Sequence, residues 1–108
     1  MSSVSTHILD TARGAPAAGV KVILEAQGSA NWKHLGEERT DANGRIATFV
    51  PKDTSLAPGV YRLRFDSAAY QRGFFPEVVV IFLIENEAQH YHVPLLLSPF
   101  GYSTYRGS

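Results

Sequence analysis

Three histidines and one arginine are the side chains of this sequence best suited to chemistry. His90 and His92 stand two residues apart, His7 lies near the N-terminus, and Arg45 follows directly on Asp41-Ala42-Asn43-Gly44. An imidazole, with an unperturbed pKa of about 6.5, can take a proton from water near neutral pH. A guanidinium presents a planar fork of N–H donors that pairs with an anion through two hydrogen bonds. Residues two apart on a strand share a face, so His90, His92, Pro94 and Leu96 point one way and Tyr91, Val93 and Leu95 the other. His92, nearer the middle of that run, is the better placed of the pair. By spacing alone His90 and His92 read first as solvated strand histidines and next as a metal pair, and no third ligand at a recognisable spacing supports zinc. His7 reads equally as a polar residue on an exposed strand face, His34 more so, and Arg45 as a charge beside a turn.

Other chemistries find less support. There is no cysteine, hence no thiol nucleophile, thiolate metal site or disulfide, which fits a reducing compartment. Ser98 and Ser103 sit in no G-x-S-x-G elbow, because Gly101-Tyr102-Ser103-Thr104-Tyr105 lacks the second glycine. Asp41-Ala42-Asn43-Gly44 has the opening of a calcium loop without its remainder or flanking helices, and is read as a turn. Ten basic and ten acidic residues cancel, so no global field draws nucleic acid or an anionic membrane. Met1 to Asp10 lacks the apolar stretch of a signal peptide, and the longest apolar run, Val78 to Ile84, is far too short to cross a bilayer. The last four residues form no peroxisomal address, so the expectation is a soluble, cytoplasmic protein.

The elements that must position these groups are strands. With 108 residues the chain is expected to be one domain, residues 1–108. A chain of this size withdraws about two-thirds of its unfolded surface from water, a modest core that association would reinforce. Short runs rich in Val, Ile, Phe and Tyr recur between Gly, Pro, Asn and Asp clusters, the pattern of an antiparallel all-β sandwich or barrel, and a count of seven or eight strands suits a two-sheet sandwich. Val4 to Leu9, Val20 to Glu25, Trp32 to Glu38, Val60 to Phe65, Val78 to Ile84, His90 to Leu97 and Tyr102 to Tyr105 read as strands. Val20, Val22 and Leu24 should face the core, as should Tyr61, Leu63 and Phe65, with Arg62 and Arg64 on the opposite side. Asn43-Gly44 is expected to close a tight hairpin that delivers Arg45 to the start of the returning strand. Asp66-Ser67 caps a short helix through Arg72, ended by Gly73. Val78 to Ile84, apolar throughout, should be a strand buried on both faces, which hints at a subunit interface.

Longer stretches carry a family resemblance. His7-Ile8-Leu9-Asp10, Gly14-Ala15-Pro16-Ala17 and Val20-Lys21-Val22 resemble the N-terminal signature of the transthyretin-like family. Tyr91-His92-Val93-Pro94-Leu95-Leu96-Leu97-Ser98-Pro99 followed by Gly101-Tyr102-Ser103-Thr104-Tyr105-Arg106-Gly107-Ser108 is similar to the C-terminal signature of that family's 5-hydroxyisourate hydrolases. The resemblance spans essentially the whole chain. It implies a sandwich of two four-stranded sheets with one short helix, and a homotetramer, a dimer of dimers, with sites at the dimer–dimer interface. It also implies a catalytic set of His7, Arg45, His92 and Ser108, with His7, Arg45, Tyr105, Arg106, Gly107 and Ser108 holding substrate. His90 has no implied role. In this family the terminal Tyr-Arg-Gly-Ser separates hydrolases from transthyretins, which carry thyroid hormone and replace the histidines and arginine of the site.

The implied reaction opens a ring amide of 5-hydroxyisourate with water, in urate breakdown, yielding 2-oxo-4-hydroxy-4-carboxy-5-ureidoimidazoline. No cofactor or metal is implied. Arg45, Arg106 and two histidines suit a planar anionic substrate, and either His7 or His92 could activate the water. Arg45 or backbone N–H groups of the terminal stretch would stabilise charge growing on the carbonyl oxygen. Two other classes compete: a transthyretin-like protein that binds a small molecule without chemistry, and a β-sandwich module that docks partners through edge strands.

Overall fold

The computed structural model describes residues 3–108. Its strands are β1 (Ser3–Asp10), β2 (Ala15–Pro16), β3 (Lys21–Gln27), β4 (Trp32–Arg39), β5 (Arg45–Ile46), β6 (Gly59–Phe65), β7 (Val78–Ile84), β8 (His90–Ser98) and β9 (Gly101–Thr104), with one helical turn, α1 (Ser67–Tyr70). They form two sheets. One has the order β2-β1-β8-β9 with β5 also on β1, and the other has the order β4-β3-β6-β7. Because β2 and β5 pair with different residues of β1, the first sheet is four strands wide along its path although it contains five. The expected two-sheet sandwich with one short helix is what the chain forms.

Period-two alternation explains the layering. Val4, Thr6 and Ile8 of β1 and Tyr91, Val93, Leu95 and Leu97 of β8 turn inward against Val22 and Leu24 of β3 and Tyr61, Leu63 and Phe65 of β6. Removing each Val, Ile, Leu or Phe side chain of this set from water contributes roughly 1.5–3 kcal/mol, and the slab they form is what holds the two sheets face to face. Arg62 and Arg64 lie on the outer face as expected, where both reach Glu25 across the strands.

Against the expectation of a wholly antiparallel sandwich, β1 and β8 pair in parallel, in the register Ser3↔His90, Ser5↔His92 and His7↔Pro94. Parallel neighbours need a long crossover, here most of the chain, so this contact joins the two ends of the sequence.

Three local expectations are corrected. Gly44 does supply the positive φ, 75°, but the turn closes no hairpin: β5 leaves β4 and pairs with β1 of the other sheet. The cause is local hydrogen bonding. The Thr40 hydroxyl donates to the Ala17 carbonyl at 2.7 Å and accepts from Val20 N–H at 2.8 Å, and the Ile8 N–H donates to the Gly44 carbonyl at 2.8 Å. Helix α1 stops at Tyr70, with Gln71 already extended. The chain folds back at once because Ala68 N–H bonds the Pro76 carbonyl and the Ser67 hydroxyl bonds the Phe75 carbonyl. Strand β7 is buried on one face only. Val78 and Ile84 are enclosed, whereas Val79, Ile81 and Leu83 are 38%, 60% and 58% exposed, because no element among the described residues packs over the outer face of this edge strand. No helix is long and apolar enough to cross a membrane among the described residues.

Candidate active site

The outer face of the first sheet gathers the histidines and Arg45. In β1 the inward residues Val4, Thr6 and Ile8 leave Ser3, Ser5 and His7 outward. Register then places Ser3 beside His90, Ser5 beside His92, and His7 opposite Arg45 on β5. Residues paired directly across neighbouring strands share a face, so the groups converge although they come from opposite ends and the middle of the sequence.

Arg45 is set by the turn before it. One oxygen of the Asp41 carboxylate accepts the N–H groups of Asn43 at 2.8 Å and Arg45 at 3.0 Å, an Asx turn that fixes where the new strand starts. The Arg45 N–H bond holds the Asp41 carboxyl below its ordinary value, helped by Asn43 N–H and by the neighbouring Arg45 and His7 side chains. Asp41 thus stays anionic beside the arginine. The Arg45 guanidinium itself is exposed and donates no hydrogen bond among the described residues, so its fork is available to a ligand.

His92 is partly buried. Its Nδ1 lies 2.7 Å from the Ser5 hydroxyl. The same hydroxyl is 2.8 Å from His90 Nε2, and His90 Nδ1 bonds the Ser3 hydroxyl. The two imidazoles lie nearly parallel, 17° between planes and 6.5 Å between centres. Burial depresses the pKa of His92, and the neighbouring His90, His7 and Arg45 depress it further. The ring is therefore neutral at pH 7, the form in which a base accepts a proton.

The chain terminus covers His92 from the side. Gly107 N–H donates to the His92 carbonyl at 2.8 Å, forming an isolated bridge. A Cβ on Gly107 would lie 2.5 Å from His92 Cδ2, so only glycine lets the tail lie this close to the ring. Ser108 then reaches a depression of about 390 Å³ lined by Ser5, Asp41, Arg45, His90 and His92, among others. That volume falls in the range of small-molecule sites.

Tyr105 and Arg106 go elsewhere within this chain. They line a neighbouring depression of about 310 Å³ with Val80 to Leu83 and Tyr91. Arg106 lies 4.7 Å above the Tyr91 ring and reaches Gln89 Oε1 at 3.3 Å. His92 is the one residue common to both depressions. The structure thus brings His7, Arg45, His92 and Ser108 to one face and keeps Arg106 on the far side of His92. Ser5 escaped the sequence reading, since a serine in a strand has no local mark; its place beside two histidines depends on the register of β1 and β8. His34 sits on β4 of the other sheet, beside Glu37 at 3.7 Å. No cluster of three metal-ligating side chains occurs among the described residues.

Comparison with known proteins shows the family. A 5-hydroxyisourate hydrolase of Salmonella typhimurium is 47% identical over 97% of this chain and 80% of its own length. The structure of Klebsiella pneumoniae 5-hydroxyisourate hydrolase matches with a TM-score of 0.84 and 39% identity, over 98% of this chain and 99% of the other. Sea bream transthyretin in complex with thyroxine superposes with a TM-score of 0.89 at 30% identity, over 97% of this chain and 94% of the other. The profile of the HIUase/Transthyretin family matches residues 4–107, and this chain belongs to that family.

Proposed function

We propose that this chain hydrolyses 5-hydroxyisourate to 2-oxo-4-hydroxy-4-carboxy-5-ureidoimidazoline in urate degradation. The observation that carries the reading is the meeting of a neutral, partly buried His92 with an uncommitted Arg45 guanidinium and the terminal Ser108 around one depression. Relatives across the full length bear the hydrolase name, which supports the same activity over non-enzymatic binding of a small molecule.

In this mechanism the substrate lies against the outer face of the first sheet, its anionic edge on the Arg45 fork. His92 takes a proton from water at Nε2, the ring nitrogen that Ser5 leaves open. The water oxygen bonds the ring carbonyl carbon, and Arg45 and donors of the terminal segment stabilise the charge that develops on the carbonyl oxygen. Collapse breaks the carbon–nitrogen bond, and His92 returns its proton to the freed nitrogen. His7, opposite Arg45, orients the substrate and shares the acid–base work. Tyr105 and Arg106 contribute by clamping the tail over Tyr91 so that Gly107 and Ser108 reach the site.

The site is shallow for a planar substrate when only one copy of the chain walls it. This supports assembly of the one-domain chain into a homotetramer, a dimer of dimers, whose dimer–dimer interface closes the site. The exposed apolar row Val79, Ile81 and Leu83 is consistent with association, since such a row costs free energy in water. We place the enzyme in the cytoplasm, acting without metal or cofactor. The test is the ultraviolet decay of 5-hydroxyisourate freshly formed from urate, with and without the protein at one pH. Decay faster than the spontaneous rate is expected; unchanged decay with an intact oligomer would sink the reading in favour of ligand binding.

A further inference from the structure

The function assigned so far gives no task to Ser5, His90 or Ser3, yet they form an unbroken hydrogen-bonded row that ends on His92. His92 Nδ1, the Ser5 hydroxyl, His90 Nε2, His90 Nδ1 and the Ser3 hydroxyl follow one another, at 2.7 Å and 2.8 Å for the two contacts of Ser5. Ser5 is buried and His92 partly buried, whereas His90 is exposed. The row therefore runs from the site to solvent.

A hydroxyl has one proton, so Ser5 cannot donate to both imidazoles. With both rings neutral and Ser5 accepting from one ring while it donates to the other, the row has two polarities. In the first, His92 Nδ1–H donates to Ser5, Ser5 O–H donates to His90 Nε2, and His90 Nδ1–H donates to Ser3. This leaves His92 Nε2 as a bare lone pair, with no partner among the described residues, ready to act as a base. In the second, every bond is reversed and His92 Nε2 carries a proton, ready to act as an acid. One serine thus couples the tautomers of two histidines.

We propose that Ser5 and His90 are positioning residues that set the tautomer of His92 and relay its Nδ1 proton to solvent and back, an inference that rests on the hydrolytic role given to His92 above. As the water oxygen bonds the carbonyl carbon, the water proton moves to His92 Nε2. The Nδ1 proton of His92 moves to Ser5 Oγ, the Ser5 proton to His90 Nε2, and the His90 Nδ1 proton to Ser3 and solvent. One proton enters the row and one leaves, and no electrons are exchanged with a redox partner. When the carbon–nitrogen bond breaks, its electron pair stays on nitrogen, which takes the proton from His92 Nε2, and the row shifts back by one proton from solvent. The product carboxyl then ionises on its own. The physical gain is that His92 never becomes an imidazolium, a charge that burial and the neighbouring His90, His7 and Arg45 all oppose.

Nitrogen-15 spectra of the histidine rings in the full chain, together with steady-state turnover, test this. At neutral pH His92 in the wild type should be the Nδ1–H tautomer. Ser5→Ala, checked for fold by circular dichroism, should mix its tautomers and lower kcat at least about tenfold with little change in KM, and Ser5→Thr should restore both. His90→Gln keeps an acceptor for Ser5 but cannot pass a proton. At this exposed position it should fold normally, hold the His92 tautomer and still lose kcat. An unchanged His92 tautomer in Ser5→Ala, or wild-type kcat in His90→Gln, would overturn the proposal. If Ser5→Ala does not fold, the His90→Gln pair of readouts decides alone. Should the wild type fail to hasten 5-hydroxyisourate decay, the activity assignment fails, while the tautomer spectra still judge the row.

Discussion

His92 concentrates the chemistry in a single ring. Its backbone is held by β1 and Gly107, and its ring contributes little to the apolar slab, so His92→Ala should stay folded and assembled while losing about a hundredfold or more in kcat. Loss of the oligomer on sedimentation would give His92 a structural task instead. The pH profile follows from the sign of its shift. Because folding lowers its pKa, with burial the leading cause, the ring stays neutral as pH falls past the ordinary value of about 6.5. The acid limb of kcat/KM should accordingly lie below that value, with turnover lost as pH drops through the depressed pKa. A limb at or above 6.5 would mean that another group governs the rate. These roles were only partly legible beforehand: the type and spacing of His7, Arg45 and His92 named candidates, but depression of one pKa requires burial and neighbours that only folding supplies.

At the scale of elements, the turn before β5 decides where Arg45 goes. Gly44 has φ 75°, and a Cβ there would lie 2.6 Å from the Ile8 carbonyl oxygen. Gly44→Ala is therefore strained in two ways and should cost roughly 1–3 kcal/mol, read as a lower midpoint in thermal unfolding. It should also raise KM, because β5 carries Arg45 to the site; a shift in stability without any change in KM would separate the turn from substrate binding. The sequence marked this turn correctly through Asn43-Gly44 but assigned it to a hairpin, since turn chemistry specifies a reversal and not the strand that receives it. Strand β7 shows a similar limit. Its unbroken apolar run carries no alternation from which to tell an edge strand with one bare face from a central strand covered on both.

At the scale of the whole molecule, β1 and the segment Gly107 to Ser108 both border β8. Ser108 lines the depression beside Arg45 and His92, and Gly107 is bridged to β8. A tag fused after Ser108 should depress turnover several-fold or more, whereas a tag before Met1 should leave it near the untagged level; equal rates from both fusions would remove the terminus from the site. The sequence by itself determined the all-β sandwich, because period-two alternation selects which faces turn inward. Through its family resemblance it also marked His7, Arg45, His92 and the Tyr105 to Ser108 tail as candidates. What only the tertiary structure decided was register. A one-residue slip between β1 and β8 would turn Ser5 away from His92, and nothing in a local stretch fixes a parallel pairing between residues some 85 positions apart in sequence. The two sheets fix it by closing on a common core, and so place the enclosed base, the open guanidinium and the chain end on one face.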